Sequence, residues 1–222
     1  MAIVLVIVGL MLGGLLMPLS MQMEQRRIGE TQKAMDDIRE ALSGFALRNG
    51  YLPCPAISSA NGLEDRTGSG CTDGKRVGYI PWATLGVSKL DSWNHLFRYS
   101  VTPAFTNSNA FFSLTTPRDI TVYTRGMSGE LVESTAPNDV PALVMSYGKN
   151  GFRATSDQGI VQADNVAGNQ DERENAGGEG TRFISRPATD ASTVAGGPFD
   201  DIVSWISPNI LYNRMVLAQK LP

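Results

Sequence analysis

From Met1 to Met23 the chain carries no charged side chain, and its first 19 residues are almost wholly apolar. No other feature limits the fold as strongly. An α-helix needs about 20 such residues to cross a bilayer core of roughly 30 Å, at about 1.5 Å per residue. The segment that follows is not a loop. Glu24 to Asn49 reads as continued helix, now charged and two-faced. Ile28, Met35, Ile38, Leu42 and Phe45 recur at intervals of 7, 3, 4 and 3 and form one apolar stripe. Glu24, Arg26, Arg27, Lys33, Asp36, Asp37, Arg39 and Glu40 fill the other faces. Asn49-Gly50 is a helix stop, and Pro53 and Pro55 prevent resumption. The reading is a rod anchored by 1–19, an amphipathic half over 20–50, and a globular head over 51–222.

Within the apolar run, Gly9, Gly13 and Gly14 are small enough to let helices approach closely in lipid, although glycine is also simply common in such helices. Pro18 lacks an N–H and is expected to kink or open the helix. The run is no secretory signal peptide, because no basic region precedes it and no small-x-small cleavage site ends it. Arg26 and Arg27 follow it with no charge before it, which by the positive-inside rule alone puts the head in the cytoplasm.

The cysteines argue the other way. Cys54 and Cys71 are the only two, and they flank one Pro/Gly/Ser/Asn-rich stretch. A bridge closing that loop stabilises the head by roughly 3 kcal/mol on the chain-entropy model and needs an oxidising compartment. The alternative is two free buried thiols. The conflict disappears if a basic leader precedes Met1.

About 170 residues remain for the head, enough for a real core. The net charge of −3 offers no electrostatic footprint for nucleic acid. Residues 51–75 read as irregular. Short strands are expected at Phe97–Thr102, Ala110–Leu114, Ile120–Thr124, Glu130–Val132, Ala142–Tyr147, Thr181–Ser185 and Phe199–Ile206. Gly148 to Gly151 is a turn, 156–181 a long polar surface loop, and Ser207-Pro208 the start of a short terminal helix supported by Leu211, Met215 and Ala218.

Catalytic chemistry is not signalled. His95 is the only histidine, which excludes a multi-histidine metal site, and it is expected on the surface or at a strand edge. Gly148-Lys149-Asn150-Gly151 lacks the spacing and hydroxyl of a phosphate loop. Asp164, Asp171, Glu172, Glu174 and Glu179 lie among asparagines; hard oxygen ligands on a flexible loop suit Ca²⁺, and a solvated loop is the alternative. Asp200-Asp201 reads as a structural pair that caps or bonds Arg214, with ligation the alternative.

The first fourteen residues, through Gly9, Gly13 and Gly14, resemble the hydrophobic helix of type IV pilins and type II secretion pseudopilins. Asp91-Ser92-Trp93-Asn94-His95-Leu96-Phe97-Arg98-Tyr99 is similar to the Asp-x-Trp-Gly-x-x-aromatic-x-Tyr stretch of major pseudopilins, with Asn94 in place of Gly. Leu52-Pro53-Cys54-Pro55, Ile80 to Gly86 and Phe199 to Trp205 look like a bacterial pilin-like subgroup. The family's Phe/Met-Thr-Leu-x-Glu stretch is absent. Met1 falls just after the position of its glutamate, Gly9 on its usual glycine and Pro18 one place beyond its proline. The resemblance therefore implies a leader and an assembly glutamate upstream of Met1.

It also implies an α+β fold, with the long helix packed on an antiparallel sheet. The implied role is a filament subunit, not an enzyme, with the head in the periplasm and the helix in the bacterial inner membrane before assembly into a periplasmic or extracellular filament. Its partners would be other pilin or pseudopilin subunits and a prepilin peptidase. No organic cofactor is implied; Ca²⁺ in a loop of the head is, which points to Asp164, Asp171 and Glu172. The rival readings are an anchored periplasmic enzyme or binding protein, disfavoured by the lack of a Pro/Gly/Ser linker, and an adhesive minor pilin at a filament tip.

Overall fold

A computed structural model describes the backbone of residues 2–163 and 168–221, with side chains from residue 20 onward. Helix α1 spans Ala2–Asn49, about 70 Å at 1.5 Å per residue, and its backbone stays helical through Pro18. The apolar stripe decides its packing. Met35, Ile38, Leu42, Phe45 and Ala46 are buried and Ile28 is half-buried, whereas Met21 and Met23 are 71% and 53% exposed. The C-terminal half thus packs on the head, as the periodicity predicts. The helix ends at Gly50, whose φ of +83° is one that glycine adopts without strain; a Cβ there would sit 2.7 Å from the Phe111 ring. Among the described residues no helix is long and apolar enough to cross a membrane. The span expected over 1–19, with Gly9, Gly13, Gly14 and Pro18, falls where side chains lie outside the described residues.

The head is α+β. In chain order it holds β1 (Arg66–Thr67), β2 (Gly70–Cys71), β3 (Val77–Tyr79), α2 (Trp82–Leu85), β4 (Arg98–Val101), β5 (Thr121–Arg125), β6 (Leu131–Glu133), β7 (Ala142–Ser146), α3 (Gln170–Gly177), β8 (Arg182–Ile184), β9 (Ile202–Trp205) and α4 (Pro208–Leu217). Strands β3-β4-β7-β9 form an antiparallel sheet in that order. A second sheet runs β6-β5-β8, with β5 and β8 parallel, and β1 and β2 make a small hairpin. Strand alternation gives the main sheet two buried faces. Tyr99, Val101, Ala142 and Val144 pack with Met35, Ile38 and Leu42 of α1 and Leu211 and Met215 of α4. Leu143, Met145 and Tyr147 face away and pack with Ile120, Val122 and Phe183 of the second sheet. Strand β7, Ala-Leu-Val-Met-Ser, is buried throughout because it lies between both layers.

Three expectations fail. Ala110–Leu114 is not a strand: Asn107 Oδ1 accepts from the Asn109 and Ala110 amides and turns the chain. Phe112 then enters the core against Phe105, ring centroids 4.8 Å apart, while Phe111 stays exposed. Residues 51–75 contain the β1–β2 hairpin. The polar stretch 156–181 contains helix α3.

Cys54 and Cys71 are bridged, with Cα atoms 5.4 Å apart. Arg66, within the closed loop, donates to the Ser69 and Thr106 carbonyls at 3.0 and 2.7 Å and lies 4.5 Å from the Tyr51 ring centroid. Pro208 opens α4 as expected, although Ser207 makes no side-chain capping bond. Arg214 pairs with Glu40 of α1 at 2.7 and 2.9 Å, not with Asp200 or Asp201.

Candidate metal centre

Helix α3 has no apolar period; its sequence is Gln-Asp-Glu-Arg-Glu-Asn-Ala-Gly. Polar contacts fix it instead. Asn175 donates Nδ2 to the Ile184 carbonyl at 2.9 Å and accepts from the Ile184 amide at 2.7 Å, which pairs the helix to β8 through one side chain. Asp171 and Glu172 occupy the first turn, where acidic side chains meet the positive end of the helix dipole. Both are buried, against the expectation of a solvated loop.

Their surroundings differ. The Asp171 carboxylate is taken by two guanidiniums: Arg125 donates at 2.5 and 3.2 Å, and Arg186 at 2.7 Å. The sequence grouped Asp171 with Glu172 as calcium candidates, and the structure separates them. Asp164 lies outside the described residues.

Glu172 meets Asp200 and Asp201 instead, with one oxygen of each within 4.8 Å of the others. Glu172 is fully buried and Asp201 is 6% exposed. Asn150 Nδ2 donates to both Glu172 oxygens at 3.0 Å, Asn169 Nδ2 donates to Oε2, and the Asp200 amide donates to Oε1 at 2.7 Å. Asn150 also gives its amide to Asp200 Oδ2 at 2.8 Å, and Asn175 Nδ2 reaches Asp201 Oδ2 at 2.8 Å. The backbone closes tightly here. Gly148 sits at φ +61°, and a Cβ on it would fall 2.3 Å from the Asp200 carbonyl oxygen.

These donors do not balance the site. Asp200 Oδ1, Asp201 Oδ1 and Asn169 Oδ1 are buried without a partner among the described residues. Burial pushes the Asp200 carboxyl up to about 7 with help from the Glu172 charge, against the Asn150 and Lys149 amides that pull it down. Burial, then the Glu172 charge, also raises Asp201 well above the carboxylate range. Like charges gathered in low dielectric need a proton or a cation. Three convergent carboxylates form an all-oxygen set, which suits a hard divalent ion such as Ca²⁺. Asp200 and Asp201 also line a groove of about 430 Å³ between the head and α1, with Glu24, Trp93, Lys149 and Arg186 among its walls.

Asp200 and Asp201, for which the sequence favoured a structural use over ligation, are the candidate ligands that the structure adds to Glu172. A signal was present, since period-two alternation puts Asp201 on the same face as Val203 and Trp205, which pack half-buried against the second-sheet core. What the sequence did not carry was the meeting of that face with α3.

His95 is buried, not at the surface. The Asp91 side chain shapes its loop: Oδ1 accepts from the Trp93 and His95 amides at 2.9 and 2.8 Å, and Oδ2 accepts from Ser146 Oγ at 2.6 Å. The Ser146 hydroxyl is therefore spent on Asp91, while His95 Nε2 faces Gln162 at 2.9 Å. Ser146, His95 and Asp91 do not form a nucleophile–base pair. No family model, curated protein or solved structure matches the chain.

Proposed function

We propose that this chain is a structural subunit of a type IV pilus or type II secretion pseudopilus, and that its head holds Ca²⁺ at Glu172, Asp200 and Asp201. The observation that carries the reading is the single helix α1. It runs without a linker from the apolar N-terminal residues into the head core, and it exposes most of residues 20–30 where it leaves the head. An anchored enzyme usually carries a flexible linker between anchor and domain, whereas a continuous rod suits a filament subunit. Apolar rods packed side by side bury their surfaces against copies of themselves. The Cys54–Cys71 bridge supports placing the head in an oxidising compartment outside the cytoplasm, with the apolar segment in the inner membrane before assembly. The calcium reading is supported by the unpartnered buried oxygens of Asp200, Asp201 and Asn169.

The test replaces Gly13 and Gly14 with leucine. The segment stays apolar, so membrane insertion survives, but close helix approach at small residues is blocked. Crosslinking with membrane fractionation is expected to show inserted, unassembled protein. A variant that assembles like the parent, or a parent that never self-associates, refutes the proposed assembly.

A further inference from the structure

Strand alternation sends Tyr79 of β3, Arg98 of β4 and Tyr147 after β7 to the main-sheet face turned away from α1. With Arg153 and Val161 of the next loop and Ala176 of α3, they line a cavity of about 290 Å³. Two arginines line it and no carboxylate does. Arg98 donates Nη2 to the Gly178 carbonyl at 3.3 Å, and its Nε is buried without an acceptor. Asp201 feels the Arg98 charge but is not part of the wall. Arg153 forms no hydrogen bond or ion pair among the described residues. Its backbone lies at φ +56°, a left-handed conformation uncommon for a residue of this kind and found more often where function demands it. Tyr79 is held in place by its hydroxyl, 3.1 Å from Thr155 Oγ1.

We infer that this cavity binds a small organic anion: one carboxylate, sulfate or phosphate group on a ring-sized body. The guanidiniums of Arg153 and Arg98 take the charged head, since the planar fork matches such groups in geometry and charge. The tyrosine rings, Val161 and Ala176 cover the body. The volume sits at the lower end for small-molecule sites, which excludes large ligands. This goes beyond the filament reading and rests neither on it nor on the metal centre.

The test is calorimetry on the full chain in nonionic detergent, with benzoate, glucuronate and inorganic phosphate as probes. Benzoate or glucuronate is expected to bind more tightly than phosphate, and more weakly as salt is raised. Arg153→Asn removes the charge with a residue that accepts the left-handed backbone, so the fold is retained. It is expected to weaken binding by roughly tenfold, the usual scale for losing a charged hydrogen bond. Val161→Glu, at an exposed rim position, sets a carboxylate against the anion and should do the same. Absence of binding by both organic probes at about 10 mM, equal affinity in parent and both variants, or phosphate binding as tightly as either organic anion overturns the inference.

Discussion

With divalent cations chelated, the stability of the head should fall as pH rises through neutrality, because of the carboxylates gathered at Glu172, Asp200 and Asp201. The Asp200 carboxyl ionises near pH 7 in the folded chain and near 3.8 when unfolded. Between these values the folded chain keeps a proton that the unfolded chain has lost. The resulting stability is complete below about pH 3.8 and is lost as pH rises through 7. From pH 5 to pH 7.5 the loss is about 2.5 kcal/mol from Asp200 alone. For a chain of this size that lowers Tm by roughly 5–10 °C. Asp201, raised for the same reason, adds in the same direction. Lys75 holds Asp65 below the usual carboxylate range and Arg214 does so for Glu40; those groups favour the folded state above their unfolded values and act below this window. Added Ca²⁺ supplies the missing charge, so the pH slope should flatten. At a concentration 100 times Kd it stabilises by about 2.7 kcal/mol. The assay is thermal unfolding of the full chain in detergent at pH 5.0 and 7.5, with chelator or with Ca²⁺, beside Asp200→Asn. The variant should lose the Asp200 share of the slope, leaving only what Asp201 contributes, and the calcium response. A Tm in chelator that does not change between the two pH values, or a calcium response retained by Asp200→Asn, refutes the reasoning.

Asp171→Asn leaves Arg125 and Arg186 without their shared buried anion, so urea unfolding should show a loss of about 3–5 kcal/mol while calcium affinity, read by calorimetry, is retained. Replacing Cys54 and Cys71 together with serine should cost roughly 3 kcal/mol in the same assay, and the parent should show no alkylatable thiol before reduction. On α1, Leu42→Ala removes a fully buried side chain and should cost about 2–5 kcal/mol, whereas Glu40→Ala breaks an exposed pair with Arg214 and should cost under about 1 kcal/mol. Equal effects of the last two would mean that α1 does not pack on the head through its apolar stripe.

Local repetition made much of the fold legible. The stripe from Met35 to Phe45 named the buried face of α1, and β-branched runs located β4, β5, β7 and β8 within a residue or two. Two of the errors share a cause. Ala110–Leu114 has strand composition but yields to the Asn107 side chain, and α3 has no apolar period because polar contacts hold it. Side-chain bonds to backbone leave no periodic trace in a sequence.

The rod, its stop at Gly50, the alternation of the strands and the cysteines available to close one loop are all legible along the chain. Each follows from interactions among neighbours along the chain, or from a pair with no competitor. Only the tertiary contacts assemble the candidate metal centre. Glu172 lies 28 residues before Asp200, and adjacent Asp171 and Glu172 part company because a helix turns successive side chains about 100° apart. One then meets two arginines and the other two aspartates. Burial, which raises the Asp200 carboxyl and leaves its oxygen without a donor, exists only once α3, β9 and the Gly148 turn have closed on one another.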